Sequence, residues 1–353
     1  MKPIWHFFVT GSNRGDMGIA KSIQDAIRER VDIPIASFSV RHDELDERRI
    51  EQLNDEASML LIGGSGLYTN YKLSSGWYFS CDSNLFDKIK VPIVLMGIGS
   101  NNNFIMDLYG ELHESTKESI RKINDLAALS SVRDLRTFNM LRNFGVDKPE
   151  LIADPACFLR CESQVRENLV GINIAQHIPM LGRFNVDGNY RSSNIYNYKK
   201  ICEHLYNIGF RVVFITHDCL EHNLVEEFVS CFPNMEYINS DDINEMLRVY
   251  SRCKLTVGVR THSNIFSFAS GTPFISTYYD AKGIEFLKMV NSDFGVSVTE
   301  KDFYRDVNSF IDELLGNYGV VKANLVNRRD TLRIDYDRFA DAVCELVCST
   351  TKT

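Results

Sequence analysis

Two basic residues stand two apart, Arg260 and His262, inside the stretch KLTVGVRTHSNIFSFASGTPFIS that runs from Lys254 to Ser276. An apolar, β-rich run gives way there to helical spacing. Strand ends facing helix starts are where α/β proteins bind anions and carry out chemistry. A protonated histidine in a first helical turn is penalised by the helix dipole unless an anion lies close. An anion beside a histidine of adjustable charge makes a workable acid–base site. Other cations fall at the ends of other apolar runs: Arg133, followed by Asp134, after SSV, and Lys282, with Asp280, after ISTYY. Two arginines, a lysine and a histidine suit a small, multiply charged anion.

Further polar and glycine-rich turns follow the apolar runs near the N-terminus. GSNRGDMG carries Asn13 and Asp16, GGSG carries Gly64, Ser65 and Gly66, and GIGSNNN follows a third run. Each has a plainer reading. Glycines at strand ends are commonly turns. Asp16 suits a helix cap. Arg133 beside Asp134 suits a surface ion pair, worth at most about 1 kcal/mol. Lys282 suits a solvated lysine, though positive charge is disfavoured at a helix start. NRGDMG is not a dinucleotide fingerprint, and no P-loop lysine follows it. His217 and His222 flank Asp218, Cys219 and Glu221, but a spacing of five leaves them off a common helical face, so they read as solvent-facing.

The elements that hold these residues alternate between strand and helix. PIWHFFVT, IPIASFSV, SMLLIGG and VPIVLMGIG are short apolar runs of the kind that form buried parallel strands. Ile19, Ile23, Ala26 and Ile27 recur at helical spacing. ESTKESIRKINDLA reads as a helix with Ser115 and Glu118 placed as a capping box. LSSVRD, the helix LRTFNMLRNFG and the strand PELIAD complete a first series. A second begins at NLVGINIA. A polar loop over 176–194 leads to a helix with Ile201, Leu205 and Ile208 on one face, then RVVFITH, the helix CLEHNLVEEFVSCF, MEYIN and DDINEMLRVYSRC. After the Lys254–Ser276 stretch come AKGIEFLKMVN and two C-terminal helices. Parallel strands need helical crossovers. The expectation is an α/β chain of two Rossmann-like domains facing across a cleft, 1–160 and 161–353, the second closed by the C-terminal helices. A length of 353 residues agrees, because single cores rarely grow beyond about 250–300 residues.

Composition excludes several classes. Net charge is −8, which argues against broad nucleic-acid binding. No apolar run reaches the roughly 18 residues of a membrane span. IWHFFVTG runs into SNRGDMG without a cleavage pattern and reads as a strand, not a signal core. Nine cysteines form no CxxC pair, so reduced thiols are expected and no metal site. Between 322 and 338, Lys322, Arg328, Arg329, Arg333 and Arg338 interleave with Asp330, Asp335 and Asp337, a pattern that suggests peripheral contact with a membrane surface.

NRGDMGI, LLIGGSGLY, MGIGS, SVRDLRTFNMLRNFGV, LIADPACFL, VGVRTHSNIFSFASGTPFIS and YYDAKG, in this order over residues 13 to 283, resemble the polysaccharide pyruvyltransferases. The resemblance implies a fold like that of GT-B glycosyltransferases. It implies transfer of pyruvate from phosphoenolpyruvate onto two hydroxyls of a sugar, as a cyclic ketal. The acceptor would be a cell-surface glycan or a lipid-linked precursor, and the location cytoplasmic, at the inner face of the membrane. By family position Arg133, His262 and Lys282 are donor-site residues, with Arg260 beside them and Gly64, Ser65 and Gly66 lining one wall. Asn13 and Asp16 join the donor-binding set. His262 is expected as general acid/base with Arg260 at its side. No cofactor is expected, phosphoenolpyruvate being a co-substrate. Loop 176–194 matches no motif of the family and is a candidate for acceptor recognition. Two alternatives stand beside this reading: a GT-B glycosyltransferase using a nucleotide sugar, and a non-catalytic glycan- or anion-binding protein.

Overall fold

The computed structural model describes residues 2–101, 111–162, 164–175, 189–221, 228–232 and 235–350. The chain divides into two compact units. The first comprises Met1–Gly11, Asp16–Ala156 and Thr331–Thr353, the second Ser12–Gly15 and Cys157–Asp330.

The first unit is built on a six-stranded sheet in the order β2-β1-β3-β4-β5-β6, every neighbouring pair parallel. The strands are β1 (Ile4–Phe8), β2 (Ile35–Ser39), β3 (Met59–Gly63), β4 (Ile93–Ile98), β5 (Leu129–Val132) and β6 (Glu150–Leu151). β1, β3 and β4 are buried at every position, because a parallel sheet is covered by helices on both faces. Those helices are α1 (Arg14–Arg28), α2 (Glu47–Glu56), α3 (Glu114–Leu126) and α4 (Leu135–Asn143). Asp46 caps α2 and Asp134 caps α4 through Thr137 N at 2.7 Å. The Ser115–Glu118 capping box does not form. α3 starts at Glu114 with His113 as its N-cap and no side-chain cap bond, so Ser115 lies inside the first turn, past the capping position.

The second sheet runs β12-β11-β10-β7-β8-β9, again parallel throughout. Its strands are β7 (Leu169–Asn173), β8 (Arg211–Ile215), β9 (Glu236–Ile238), β10 (Leu255–Gly258), β11 (Phe274–Tyr278) and β12 (Gly295–Ser297). β12 extends the edge of a sheet whose last strand was expected at β11. The helices are α5 (Asn189–Asn207), α6 (Ile243–Arg252), α7 (Thr261–Ala269), α8 (Ala281–Val290), α9 (Tyr304–Gly316) and α10 (Tyr318–Thr350). Ile201 and Leu205 of α5 are fully buried, but Ile208 is 40% exposed, because the helix stops at Asn207 and the chain turns there. Loop 176–194 lies largely outside the described residues; α5 takes its last part.

Two groupings depart from a single boundary near 160. Residues from Thr331 onward belong with the first unit rather than the second. The Tyr336 hydroxyl donates to Ser22 O at 3.0 Å, and Arg30 pairs with Asp337 at 2.9 Å and Asp341 at 2.6 Å. Ser12–Gly15 belong with the second unit, where Arg14 N donates to His217 O at 2.9 Å. The basic stretch 322–338 is engaged by protein groups. Arg328 Nε donates to Met289 O at 2.8 Å, Arg329 Nη1 to Ala269 O at 2.9 Å, and Arg338 pairs with Glu150 at 2.5 Å. Among the described residues no helix is long and apolar enough to cross a membrane.

Candidate active site

β10 is buried along its whole length and delivers Arg260 as the N-cap of α7 in extended conformation. No side chain caps α7. The Arg260 N–H donates to Asn173 Oδ1 at 3.1 Å, at the carboxyl end of β7. Its Nε donates to Glu221 Oε1, and its Nη2 lies 3.9 Å from Asp218 Oδ2. Burial pulls the Arg260 guanidinium down, but Glu221 first, then Tyr279 and Asp218, outweigh that and hold it above its ordinary value.

The 217–221 segment is a correction. His217 and Glu221 are fully buried, not solvent-facing; His222 lies outside the described residues. The segment follows β8 almost directly and carries the His217 and Glu221 side chains into the core, while Cys219 stays exposed. His217 Nε2 meets the Tyr250 hydroxyl at 2.6 Å, that hydroxyl meets Ser263 Oγ at 2.8 Å, and the His217 ring sits 5.0 Å from that of Phe266. Burial, followed by the charges of Arg260, His262 and Arg14, pushes the His217 pKa well below its ordinary value.

His262 occupies the second position of α7 and is half-buried. Against it lies the turn that opens α1. Asn13 Oδ1 accepts from Gly15 N at 3.0 Å, so Asn13 takes the capping role considered for Asp16. Arg14, 7% exposed, pairs with Asp241 at 2.5 Å and donates through Nε to Ser240 O at 3.0 Å. A Cβ built on Gly15 would stand 2.2 Å from His262 Nδ1. Just after the neighbouring strand β11, Asp280 caps α8 by accepting from Gly283 N at 3.1 Å, and its Oδ2 lies 3.4 Å from Lys282 Nζ. A buried carboxylate thus offsets the unfavourable placing of that lysine at a helix start.

The remaining candidates meet in the first unit, beyond β3, β4 and β5. Gly64 and Ser65 both have positive φ, +76° and +66°. At Gly64 a side chain is excluded twice over, since a Cβ would also meet Ile19 Cγ2 at 2.1 Å. The turn is tied to β4 by Gly64 N to Met96 O at 2.7 Å and by Gly99 N to Ser65 O at 2.7 Å. Ser65 Oγ donates to Asp16 Oδ1 at 2.6 Å, and Gly66 O accepts from Asn101 Nδ2 at 2.9 Å. Arg133 is not a surface residue. It is 8% exposed and pairs with Asp154 at 2.9 Å, while Asp134 turns away to cap α4. Burial works against its charge, but Asp154, Asp134 and Asp16 outweigh it and hold the guanidinium above its ordinary value.

The structure therefore gathers the candidates into two groups. Arg260, His262, Lys282 and Asn13 lie in the second unit; Arg133, Asp16, Gly64, Ser65 and Gly66 lie in the first. Sequence reasoning missed the carboxylates that serve the cations, Glu221, Asp241 and Asp154, and the close-packed Gly15. Only Asp154 had a local signal, the DPA that follows SVRD.

The sequence matches the family model described as polysaccharide pyruvyl transferase over residues 13–281. The chain belongs to the polysaccharide pyruvyl transferase family. The matched span includes every candidate residue except Lys282, which follows it directly. A search of curated proteins returns no match. Solved structures similar to this family member include UDP-GlcNAc 2-epimerase from Neisseria meningitidis bound to UDP-GlcNAc, at a TM-score of 0.58 and 9% identity, covering 98% of this chain and 100% of that one. Medicago truncatula UGT71G1 complexed with UDP-glucose is similar at a TM-score of 0.55 and 9% identity, covering 99% and 98%. At such identities the likeness is one of fold. It places this pyruvyl transferase family member in the GT-B-like α/β class, with two parallel six-stranded sheets.

Proposed function

We propose that the protein transfers pyruvate from phosphoenolpyruvate to two hydroxyls of a sugar in a cell-surface polysaccharide or its precursor, forming a cyclic ketal. Membership of the family over residues 13–281 carries this reading. The geometry agrees with it. α7 begins without a side-chain cap, with Arg260 before its first turn and His262 within it, and helix N-termini of this kind accept anions. Lys282 starts the helix after the adjoining strand β11. The donor carries a phosphate and a carboxylate, a charge pattern suited to these residues.

In the reaction, the methylene carbon of the donor takes a proton and the adjacent carbon becomes electron-poor. A sugar hydroxyl adds there and loses its proton. The bond to phosphate breaks and phosphate departs. A second hydroxyl adds at the same carbon and closes the ketal. His262 supplies and recovers protons, a role worth about 10²–10⁴-fold in rate. Arg260, Arg133 and Lys282 hold the donor and neutralise the departing phosphate. Gly64, Ser65, Gly66, Asn13 and Asp16 shape the backbone turns of the donor site. The charge comes from side chains, and the scheme uses no cofactor.

The test is phosphate release from phosphoenolpyruvate across a panel of glycosides, with the ketal located by NMR. A parallel arm offers UDP- and GDP-sugars, because the similar structures named above hold UDP-sugars. Phosphate release with ketal formation is expected. Nucleoside diphosphate release without it supports the glycosyltransferase reading; binding without turnover of either donor supports a non-catalytic one.

A further inference from the structure

Arg260 is held by a carboxylate that takes no part in the reaction scheme above. Glu221 ends a short 3-10 turn, Cys219–Glu221, and is fully buried. Its Oε2 accepts from His217 N at 2.7 Å and from Asn173 Nδ2 at 3.3 Å, and its Oε1 accepts from Arg260 Nε. Asn173 in turn accepts the Arg260 N–H and donates to Ile215 O at 2.8 Å. Backbone and side chain of Arg260 are therefore fastened to one buried frame at the carboxyl ends of β7 and β8.

A carboxylate is expensive to bury unless it is paired and hydrogen-bonded. Burial raises the pKa of Glu221, and the charge of Arg260 and the His217 N–H oppose the rise. The pair also has a direction. Glu221 takes Nε and Asp218 Oδ2 lies 3.9 Å from Nη2, so carboxylates hold one edge of the guanidinium and leave its Nη1–Nη2 end as a fork. That fork is the part of an arginine that meets a phosphate or carboxylate at two points. An arginine without such an anchor spreads over many rotamers.

We propose that Glu221 is a positioning residue that sets the Arg260 fork for the anionic donor. The inference rests on the reading that Arg260 contacts phosphoenolpyruvate.

The test is a double-mutant cycle with Glu221→Gln, which keeps shape and loses charge, Arg260→Ala, and the two combined. Glu221→Gln should raise KM for phosphoenolpyruvate about tenfold with a smaller change in kcat. In the Arg260→Ala background the same change should add less than about twofold, since coupled residues are non-additive. An equal effect in both backgrounds, or an unchanged KM, overturns the proposal. If Glu221→Gln fails to fold, Glu221→Asp keeps the charge and shortens the reach, with the same outcomes expected. A crystal structure of the variant gives a readout independent of the reaction. A displaced guanidinium is expected, and one left in its wild-type place overturns the positioning role. Absence of phosphate release by the wild type would sink the functional reading alone.

Discussion

Gly15 and His262 are packed so closely that no side chain fits at the glycine. An ideal Cβ there would lie 2.2 Å from His262 Nδ1, 2.3 Å from Cγ and 2.7 Å from Cβ. Because the histidine Cβ is among the blocked atoms, turning the ring about its own bonds does not relieve the clash. Gly15→Ala is expected to displace His262 and lower kcat by about 10-fold or more, within the range assigned to acid–base catalysis. Phosphate release under saturating donor measures it. A wild-type kcat would show that the site tolerates a shifted ring.

His262→Ala is expected to lose turnover by at least about 10²-fold while keeping most of the donor affinity, as befits a group acting on the transition state. Calorimetry with phosphoenolpyruvate and single-turnover rates separate the two effects. Turnover near the wild-type rate with a true acceptor would make His262 a structural helix-start residue.

Arg260→Lys should weaken the donor more than loss of charge explains, because the charge is kept. A lysine lacks both the Nε that Glu221 holds and the planar fork. The expected sign is a raised KM for phosphoenolpyruvate, read from initial rates, and an unchanged KM would remove Arg260 from the donor site.

The buried pair of Arg133 and Asp154 predicts a stability effect alongside a binding one. Removing one partner of a buried ion pair costs about 3–5 kcal/mol. Arg133→Ala should therefore lower the denaturation midpoint and also remove most of the rise in Tm expected from phosphoenolpyruvate by mass action. Asp154→Asn should be less costly, because an amide still accepts a hydrogen bond. If Arg133→Ala keeps its ligand-induced shift, the donor phosphate lies elsewhere.

Two buried histidines set an acid limit. Burial, followed by the charge of Arg28, lowers the His6 pKa to about 3, and His217 is lowered by burial and by Arg260, His262 and Arg14. In the unfolded chain both titrate near 6.5. Below that pH the unfolded state binds protons that the native state does not. For His6 that stabilisation is thus present above about pH 6.5 and falls as pH drops toward 3, by about 1.4 kcal/mol per pH unit, and His217 acts in the same direction. The raised pKa of Glu221 acts in the opposite sense. His6→Asn should remove one proton's share of the slope between pH 6 and pH 4 in urea denaturation. An unaltered slope would mean that His6 does not stay neutral in the folded protein.

The sequence by itself determined the alternation of strands and helices, because apolar runs and helical spacing are local patterns. It also determined which strand ends carry Arg133, Arg260, His262 and Lys282, and, through motifs in order, the family. Tertiary structure alone decided what those cations meet. Glu221 pairs with Arg260 across 39 positions of sequence and Asp154 with Arg133 across 21. No local pattern marks a carboxylate as the partner of a distant guanidinium; the parallel register of β7, β8 and β10 brings the first pair together. The burial of His217 was misread for the same reason, since its helical spacing suggested solvent while the sheet turned it toward Tyr250 and Phe266. Gly15 was legible only as a turn glycine. The need for a bare α-carbon there comes from the His262 ring, nearly 250 residues away in sequence. The return of the chain from Thr331 to the first unit rests on Tyr336, Asp337 and Asp341 meeting Ser22 and Arg30. Such side-chain pairings are set once the sheets have formed, and the spacing of residues along the chain does not encode them.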